Sequence, residues 1–464
     1  MPRPSRSEER MRAYVLDLAE RKGLSHRIDA TGNLVVEKPA SPGKEGAPVV
    51  VLQSHLDMVT EKNSDVTHDF DRDPIQPRMD DGWVRATGTT LGADNGIGVA
   101  AMLAVMEADD IAHGPLELLF TVNEETGLTG VLALDPGAIA LKGRLLLNLD
   151  TEEEDKVTIG CAGGSTTRLT LPVDAAPAPG SVTLDVKVSG LKGGHSGGDI
   201  HLQRANANKV LSRVLTAALA AEPFRLVSIQ GGNKHNAIPR EAAARVVIPA
   251  GARDVFTRAV EAETAAIREE IRQTDPDARV EIAEAPASNQ AWTEEWTRRA
   301  VALLHALPHG VLAMSQDIPG LVETSTNLAT VTANGHVSVL LSTRSSVASA
   351  MLDARRRLRS YADLAGAEVE ENEGYPGWKP DLSSPLLAKF REVHQRVTGK
   401  DPVLEAVHAG LECGVLGEKF PGMDRISFGP VITGAHSPDE GVRVDSVAPF
   451  YRLLVEMLGE LAGN

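Results

Sequence analysis

Pro48-Val-Val-Val-Leu-Gln-Ser54 runs directly into His55-Leu56-Asp57. A short apolar run closed by Pro on one side and by polar residues on the other reads as a strand buried on both faces. Outward from it, Gly96–Glu107 repeats apolar residues at helical spacing, while Leu116–Val122 and Leu145–Leu149 are again short and apolar. Strands alternating with helices predict an α/β fold with a mostly parallel central sheet covered by helices. The texture returns near the C-terminus, as a helix over Pro380–Val397, a strand at Arg425–Phe428 and a last helix over Val447–Leu461. Neither piece completes a layer alone, so residues 1–180 and 378–464 are expected to form one discontinuous domain.

Residues 181–377 follow another rhythm. Val182, Leu184, Val186 and Val188 alternate with Thr183, Asp185 and Lys187, which suits a strand with one buried face. A helix over Asn206–Ala221, strands at Leu226–Gln230 and Ala242–Ile248, a helix over Arg253–Gln273 and a strand at Ala278–Ala283 complete a ferredoxin-like order. From Trp292 the chain reads helix, strand (Thr324–Val331), strand (His336–Thr343), helix (Val347–Leu364), strand (Glu368–Glu371). That is the same order without its first strand. An inserted α+β lid domain with duplicated, ferredoxin-like halves is expected.

Composition narrows the function classes. The 464 residues are 42% apolar with 3% aromatic, so a core of Val, Leu, Ile and Ala is within reach and wholesale disorder is excluded. Lys and Arg number 47 against 64 Asp and Glu, a net charge of −17. Such a surface argues against nucleic acid as a partner, whose phosphates demand basic groups. Its carboxylates are free to hold metal cations. Cys161 and Cys413 make neither a disulfide framework nor a Cys-x-x-Cys pair, which suits a reducing, cytoplasmic setting. The longest apolar run, around Ile97–Met106, falls well short of the ~18 residues a membrane span needs.

Histidines and carboxylates fall at the ends of the expected strands. His55 and Asp57 follow the first, Glu124 and Glu125 the second, Asp150 the third; Asp94 precedes the Gly96–Glu107 helix and His436 follows the strand near Ile426. In an open α/β sheet, ligands gather beyond the carboxyl ends of the strands, so these clusters are expected to converge. Imidazole with carboxylate suits Zn²⁺ first, and Co²⁺ or Mn²⁺ also fit; no thiolate cluster competes. Two His and three carboxylates exceed the needs of one tetrahedral ion but serve two divalent ions if one carboxylate bridges. The charges of Asp94, Glu125 and Asp150, with a bridging hydroxide, balance two dications. Asp57 shares a face of extended chain with His55 and can take a hydrogen bond from the ring nitrogen turned away from the metal. Adjacent Glu124 and Glu125 point apart, so one can bind metal while the other stays free as a general base.

Several of these segments are familiar in full: Ser54-His-Leu-Asp-Met58, Gly88-Thr-Thr-Leu-Gly-Ala-Asp-Asn-Gly-Ile-Gly98 and Asn123-Glu-Glu-Thr-Gly127. With Asn148-Leu-Asp-Thr-Glu-Glu-Glu154, Gly160-Cys-Ala-Gly-Gly164 and Gly434-Ala-His-Ser-Pro-Asp-Glu440, the chain resembles the aminoacyl-histidine dipeptidases. These belong to the co-catalytic metallopeptidases, with carnosinases and peptidase T. The resemblance implies hydrolysis of dipeptides of aminoacyl-histidine type, carnosine among them, by a dinuclear metal centre. It implies His55, Asp94 as the bridge, Glu125, Asp150 and His436 as ligands, Glu124 as base and Asp57 as the residue that orients His55. Gly193-Gly-His-Ser-Gly-Gly198 is similar to the segment whose His, here His195, stabilises the oxyanion. Gly231-Gly-Asn-Lys-His-Asn-Ala-Ile-Pro239 resembles a substrate-lining segment, with Asn236 the matching polar residue. Smaller relatives carry a carboxylate-binding Arg on the strand after that Pro, whereas Val246-Val-Ile-Pro249 has none. Ser342-Thr-Arg-Ser345 makes Arg344 the candidate instead.

Other readings remain beside this one. A related amidohydrolase would act on tripeptides or N-acyl amino acids. Gly194-His-Ser-Gly-Gly198 also matches the serine-hydrolase elbow, with Ser196 as nucleophile, yet Gly190–Gly194 separates Ser196 from the preceding strand. Gly96–Ala101 matches a dinucleotide fingerprint, but no strand precedes it and Asp94 would repel a pyrophosphate. The acid run Glu152–Asp155 lacks EF-hand spacing and is expected as a solvated loop. A dipeptide is the expected small-molecule partner, and a homodimer is compatible with the sequence.

Overall fold

All six side chains of the strand Val50–His55 are buried, as are all six of Leu116–Thr121. Both therefore read as mainly apolar runs without a polar alternation, because a strand covered on two faces has no solvent side to mark, and the polar groups they carry, Gln53, Ser54, Glu117 and Thr121, are buried with them. They belong to an eight-stranded sheet ordered Ser25–Ile28, Leu34–Lys38, Leu116–Thr121, Val50–His55, Leu145–Asn148, Asp424–Ser427, Lys156–Cys161, Val403–Val407. The four central strands, from Leu116–Thr121 to Asp424–Ser427, run parallel. From Val50–His55 the chain moves to one neighbour and later to the other, so this strand is a switch point with a crevice at its carboxyl end. In register, His55 stands opposite Thr121 and Gln53 opposite Asn148. The segments that follow these strands thus emerge at one level.

Helix Ala93–Glu107 packs on Val50–His55 and against helix Glu9–Arg21. Helix Pro385–Thr398 packs on Asp424–Ser427 and against Val444–Leu461. Its start is set by Ser384, whose hydroxyl accepts the Leu387 N–H, and by Pro at the first helical position.

The computed structural model describes residues 1–179 and 181–463. They divide into two units, Met1–Cys161 with Trp378–Asn464, and Ala162–Gly377. The second unit has its own sheet, ordered Arg279–Glu284, Ser181–Ser189, Ala242–Pro249, Arg225–Gly231, Val322–Ala333, His336–Ser345, Gly163–Pro172, Glu368–Glu371. Leu184, Val186 and Val188 share one core with Leu211 and Leu215 of helix Ala207–Ala221 and with Phe256 and Val260 of helix Arg253–Glu270. The first four strands and these two helices make one ferredoxin-like half. The second half has a first strand after all: Gly163–Pro172 pairs with both His336–Ser345 and Glu368–Glu371. This strand precedes the first half in sequence, so the unit starts at Ala162 and not at the expected 180/181 junction; Gly180 itself lies outside the described residues. Gly231 opposite Val331 joins the two halves into one sheet.

Candidate metal centre

Beyond the carboxyl ends of three neighbouring parallel strands stand His55, then Glu124 and Glu125, then Asp150. Asp94 comes from the start of helix Ala93–Glu107, and His436 from the loop after Ile432–Thr433. Asp94 (ψ 115°) and Asn95 (ψ 34°) leave helical geometry, so the regular helix begins at Gly96 and an irregular turn carries the Asp94 carboxylate. Ligand atoms of His55, Asp94 and Asp150 lie within 4.8 Å of one another, and so do those of Asp94, Glu125 and His436. His55 Nε2 is 3.1 Å from Asp94 Oδ1 and 3.4 Å from Asp150 Oδ1. His436 Nε2 is 3.2 Å from Asp94 Oδ2 and 2.9 Å from Glu125 Oε2. Asp94 thus offers one oxygen to each triad.

The paired glutamates differ in their surroundings. Glu125 Oε2 meets His436, while its Oε1 is buried without a hydrogen-bond partner. The Glu124 carboxylate, within 4.8 Å of His55 and Glu125, accepts no hydrogen bond among the described residues. Their backbone is held by Asp57: the Glu124 N–H donates to Oδ1 at 3.0 Å and the Glu125 N–H to Oδ2 at 3.1 Å. Asp57 also accepts the Ser5 hydroxyl at 2.7 Å. His55 Nδ1 lies 3.2 Å from the Asp57 carbonyl oxygen and 3.4 Å from Oδ1. One aspartate therefore steadies both the ring and the turn that carries the glutamates. Asn95 Nδ2 donates to Asp150 Oδ1 and, at 2.9 Å, to the Leu149 carbonyl.

Burial raises the Glu125 and Asp150 carboxyls. Burial, with Asp150, Glu412 and Glu125 nearby, holds Glu124 well above the carboxylate range against the pull of His55. The imidazoles respond in kind: hydrogen bonds to Asp94 and Glu125 push His436 up to about 11. Against its own burial, His55 is raised well above its ordinary value by Asp150, Asp57 and Asp94. The carboxylates that raise both imidazoles favour positive charge in their midst, which divalent cations would supply. Imidazole nitrogens, carboxylate oxygens and the orphaned Glu125 Oε1, with no thiolate, fit Zn²⁺, Co²⁺ or Mn²⁺.

His195, Asn236 and Arg344 all lie in the second unit. A two-residue pairing sets His195 opposite Ala237, and the Ser196 N–H donates to the Asn236 carbonyl at 2.8 Å. His195 Nδ1 accepts the Gly198 N–H at 3.0 Å, which leaves Nε2 to carry the proton. Burial, then the Arg344 charge, lower the His195 pKa and keep the ring neutral. Arg344 is 7% exposed; its Nη1 donates to the Tyr375 hydroxyl at 3.1 Å and its Nε has no partner. A buried guanidinium with a donor to spare suits a carboxylate. Ser196 Oγ is buried without a hydrogen-bond partner, so no base activates it and the serine-hydrolase reading lacks its chemistry.

Sequence reasoning passed over the acids behind the centre. In the supposedly solvated run, Glu153 and Glu154 are exposed, but Glu152 is half-buried and pushed up to about 8 by burial and by Asp94 and Asp150. Glu412 is fully buried; its Oε2 accepts the Thr121 hydroxyl at 2.6 Å and Gln53 Nε2 at 2.5 Å. Gln53 Oε1 in turn accepts Asn148 Nδ2 at 2.5 Å. One acid so ties the three strands that end in the ligand segments. Gln53, Thr121 and Asn148 were the available signal, since polar groups on buried strands must find partners. Burial raises Glu412 to about 8. The unfolded chain then ionises this group first, near its ordinary ~4.3, so its contribution to stability falls as pH rises from about 5 to about 8. Thermal unfolding of the chelated protein over that range is expected to show a weaker pH loss in Glu412→Gln than in wild type. Equal losses would contradict it.

Residues 51–460 match the model of a known family, described as peptidase family M20/M25/M40. Over 464 residues, 99% of this chain and 95% of the relative, the chain is 42% identical to the cytosol non-specific dipeptidase of Escherichia coli K12. The crystal structure of aminoacylhistidine dipeptidase from Vibrio alginolyticus matches with a TM-score of 0.92 at 43% identity, over 99% of this chain and 94% of that one. Aminopeptidase PepT from Bacillus cereus, 17% identical, is alike in fold, with a TM-score of 0.57 over 100% and 95% of the two chains.

Proposed function

The chain belongs to peptidase family M20/M25/M40, and from that membership we propose a dinuclear metal-dependent dipeptidase that cleaves dipeptides, those of aminoacyl-histidine type among them. One observation carries the reading: the two oxygens of Asp94 face two separate triads, completed by His55 and Asp150 on one side and by Glu125 and His436 on the other. Two divalent cations held there, Zn²⁺ being the first match for the donors, would polarise the scissile carbonyl and acidify a water. Glu124, a half-buried carboxylate without a hydrogen-bond partner among the described residues, is the base that takes the water's proton and passes it to the leaving amine. Asp57 keeps the His55 ring and the Glu124–Glu125 turn in place. In the second unit, His195 Nε2–H is assigned to the oxyanion, Arg344 to the substrate carboxylate and Asn236 to the lining of the substrate site.

The relatives' names, a cytosol dipeptidase and an aminoacylhistidine dipeptidase, support this activity and a cytoplasmic setting. Among the described residues no helix is long and apolar enough to cross a membrane. The test is hydrolysis by the metal-loaded protein of dipeptides with varied C-terminal residues, beside tripeptides and N-acyl amino acids. Dipeptides, X-His included, are expected to be cleaved. Cleavage of only tripeptides or N-acyl amino acids would favour the related amidohydrolase. In the same assay Arg344→Ala is expected to lower kcat/KM about 10–100-fold, chiefly through KM, the loss of a ~1.5–3 kcal/mol charged hydrogen bond. A C-terminally amidated dipeptide should feel little of that change; an equal loss on both substrates would remove Arg344 from carboxylate recognition.

A further inference from the structure

Glu440 lies four residues beyond His436 and is 2% exposed. Its carboxylate accepts four consecutive backbone N–H groups: Leu91 and Gly92 on Oε2, both at 2.8 Å, and Ala93 and Asp94 on Oε1, at 2.7 and 3.2 Å. These are the residues of the irregular turn that precedes the regular helix at Gly96, and their successive N–H groups form a concave site for an anion. Aiming four successive N–H groups at one carboxylate needs a left-handed residue, and Gly92 supplies it with φ 71°. A Cβ there would come within 2.7 Å of Met58 Sδ and 2.9 Å of Arg3 Nη1. Arg3, itself buried, donates to the Gly92 carbonyl from the other side and stands near Glu440, offsetting part of its charge.

The loop that carries His436 is closed on itself before it reaches this clamp. The Ser437 hydroxyl donates to the Gly434 carbonyl at 2.7 Å, and the Glu440 N–H donates to the Ser437 carbonyl at 3.0 Å. His436 (φ 64°) sits inside that compact turn. The Glu440 side chain therefore joins two segments nearly 350 residues apart, each holding one ligand of the same triad, His436 and Asp94. Among the described residues it makes no hydrogen bond to His55 or Asp150, and its charge reaches only as far as Glu152 in the Asp150 segment.

We infer that Glu440 is a positioning residue that sets the spacing between His436 and Asp94, and with it the affinity for the ion held by Asp94, Glu125 and His436. The inference rests on the dinuclear reading above. Loss of a hydrogen-bonding partner behind metal ligands typically weakens binding about 10–100-fold. The clamp fixes His436, a member of one triad alone, together with the shared Asp94, so the ion beside His436 is weakened more than the other.

Calorimetric titration of Zn²⁺ into the full, chelated chain tests this, with thermal unfolding of the same metal-free samples. Wild type is expected to take up two ions. Glu440→Gln, which keeps the volume but turns an amide donor toward the N–H cluster, should bind one ion about 10–100-fold more weakly and the other with a clearly smaller loss. Excess Zn²⁺ should then restore its turnover without changing KM. If that variant does not fold, Glu440→Asp, which keeps the charge but is one methylene short, should shift the same ion less. A wild type with two ions and variants whose affinities are unchanged, even if less stable, would overturn the inference and leave Glu440 a simple helix cap. Equal weakening of both ions would overturn it as well. A wild type that binds a single ion would overturn the dinuclear reading and the inference together.

Discussion

Glu124→Gln is expected to bind two metal ions and to lose turnover by at least the ~10²–10⁴-fold typical of a missing general base. The substitution keeps the side chain's volume, and among the described residues the Glu124 carboxylate has no hydrogen-bond partner to lose. Metal content and KM should therefore hold while kcat falls. Glu125→Gln behaves differently, because its Oε2 faces His436 and shares a triad with Asp94. A neutral amide in place of that anion weakens metal binding first, so excess metal should partly restore Glu125→Gln and do nothing for Glu124→Gln. Elemental analysis with kinetics at two metal concentrations checks both. If Glu124→Gln lost an ion while Glu125→Gln kept both, the two roles would be exchanged.

Asp94→Asn should have the larger effect of all. Each Asp94 oxygen lies about as far from one imidazole as the other does from its own, 3.1 Å to His55 and 3.2 Å to His436. Removing one charge at this position weakens both triads together. Metal content is expected to fall toward zero, and turnover beyond the ~10⁴-fold upper range of a lost base. Moderate excess metal should not restore it. A variant that keeps one tightly bound ion would indicate that Asp94 belongs to one triad only.

Much of this centre was legible because its framework is made of doubly buried strands. Val50–His55 and Leu116–Thr121 stand out as apolar runs, and the His and acids that follow them mark the carboxyl ends. What escaped reading depends on partners remote in sequence. Gly163–Pro172 reveals itself as the first strand of the second ferredoxin-like half only through its pairing with His336–Ser345, far downstream. Glu412 and Glu440 look like ordinary acids of an acidic chain until their partners, Gln53 with Thr121 and the Leu91–Asp94 N–H groups, are brought to them by the fold. Glu152 was hidden by company: its neighbours Glu153 and Glu154 are solvated, while Glu152 itself is half-buried near Asp94 and Asp150.

Asp94 is proposed to serve two ions at once, one with each triad. Anomalous diffraction from crystals of the full chain grown with Zn²⁺ measures this directly. Two peaks about 3.5–4 Å apart are expected, the spacing of co-catalytic pairs, one between His55 and Asp150, the other between Glu125 and His436, each reached by one oxygen of Asp94. A single peak, or two peaks that Asp94 does not link, would contradict it.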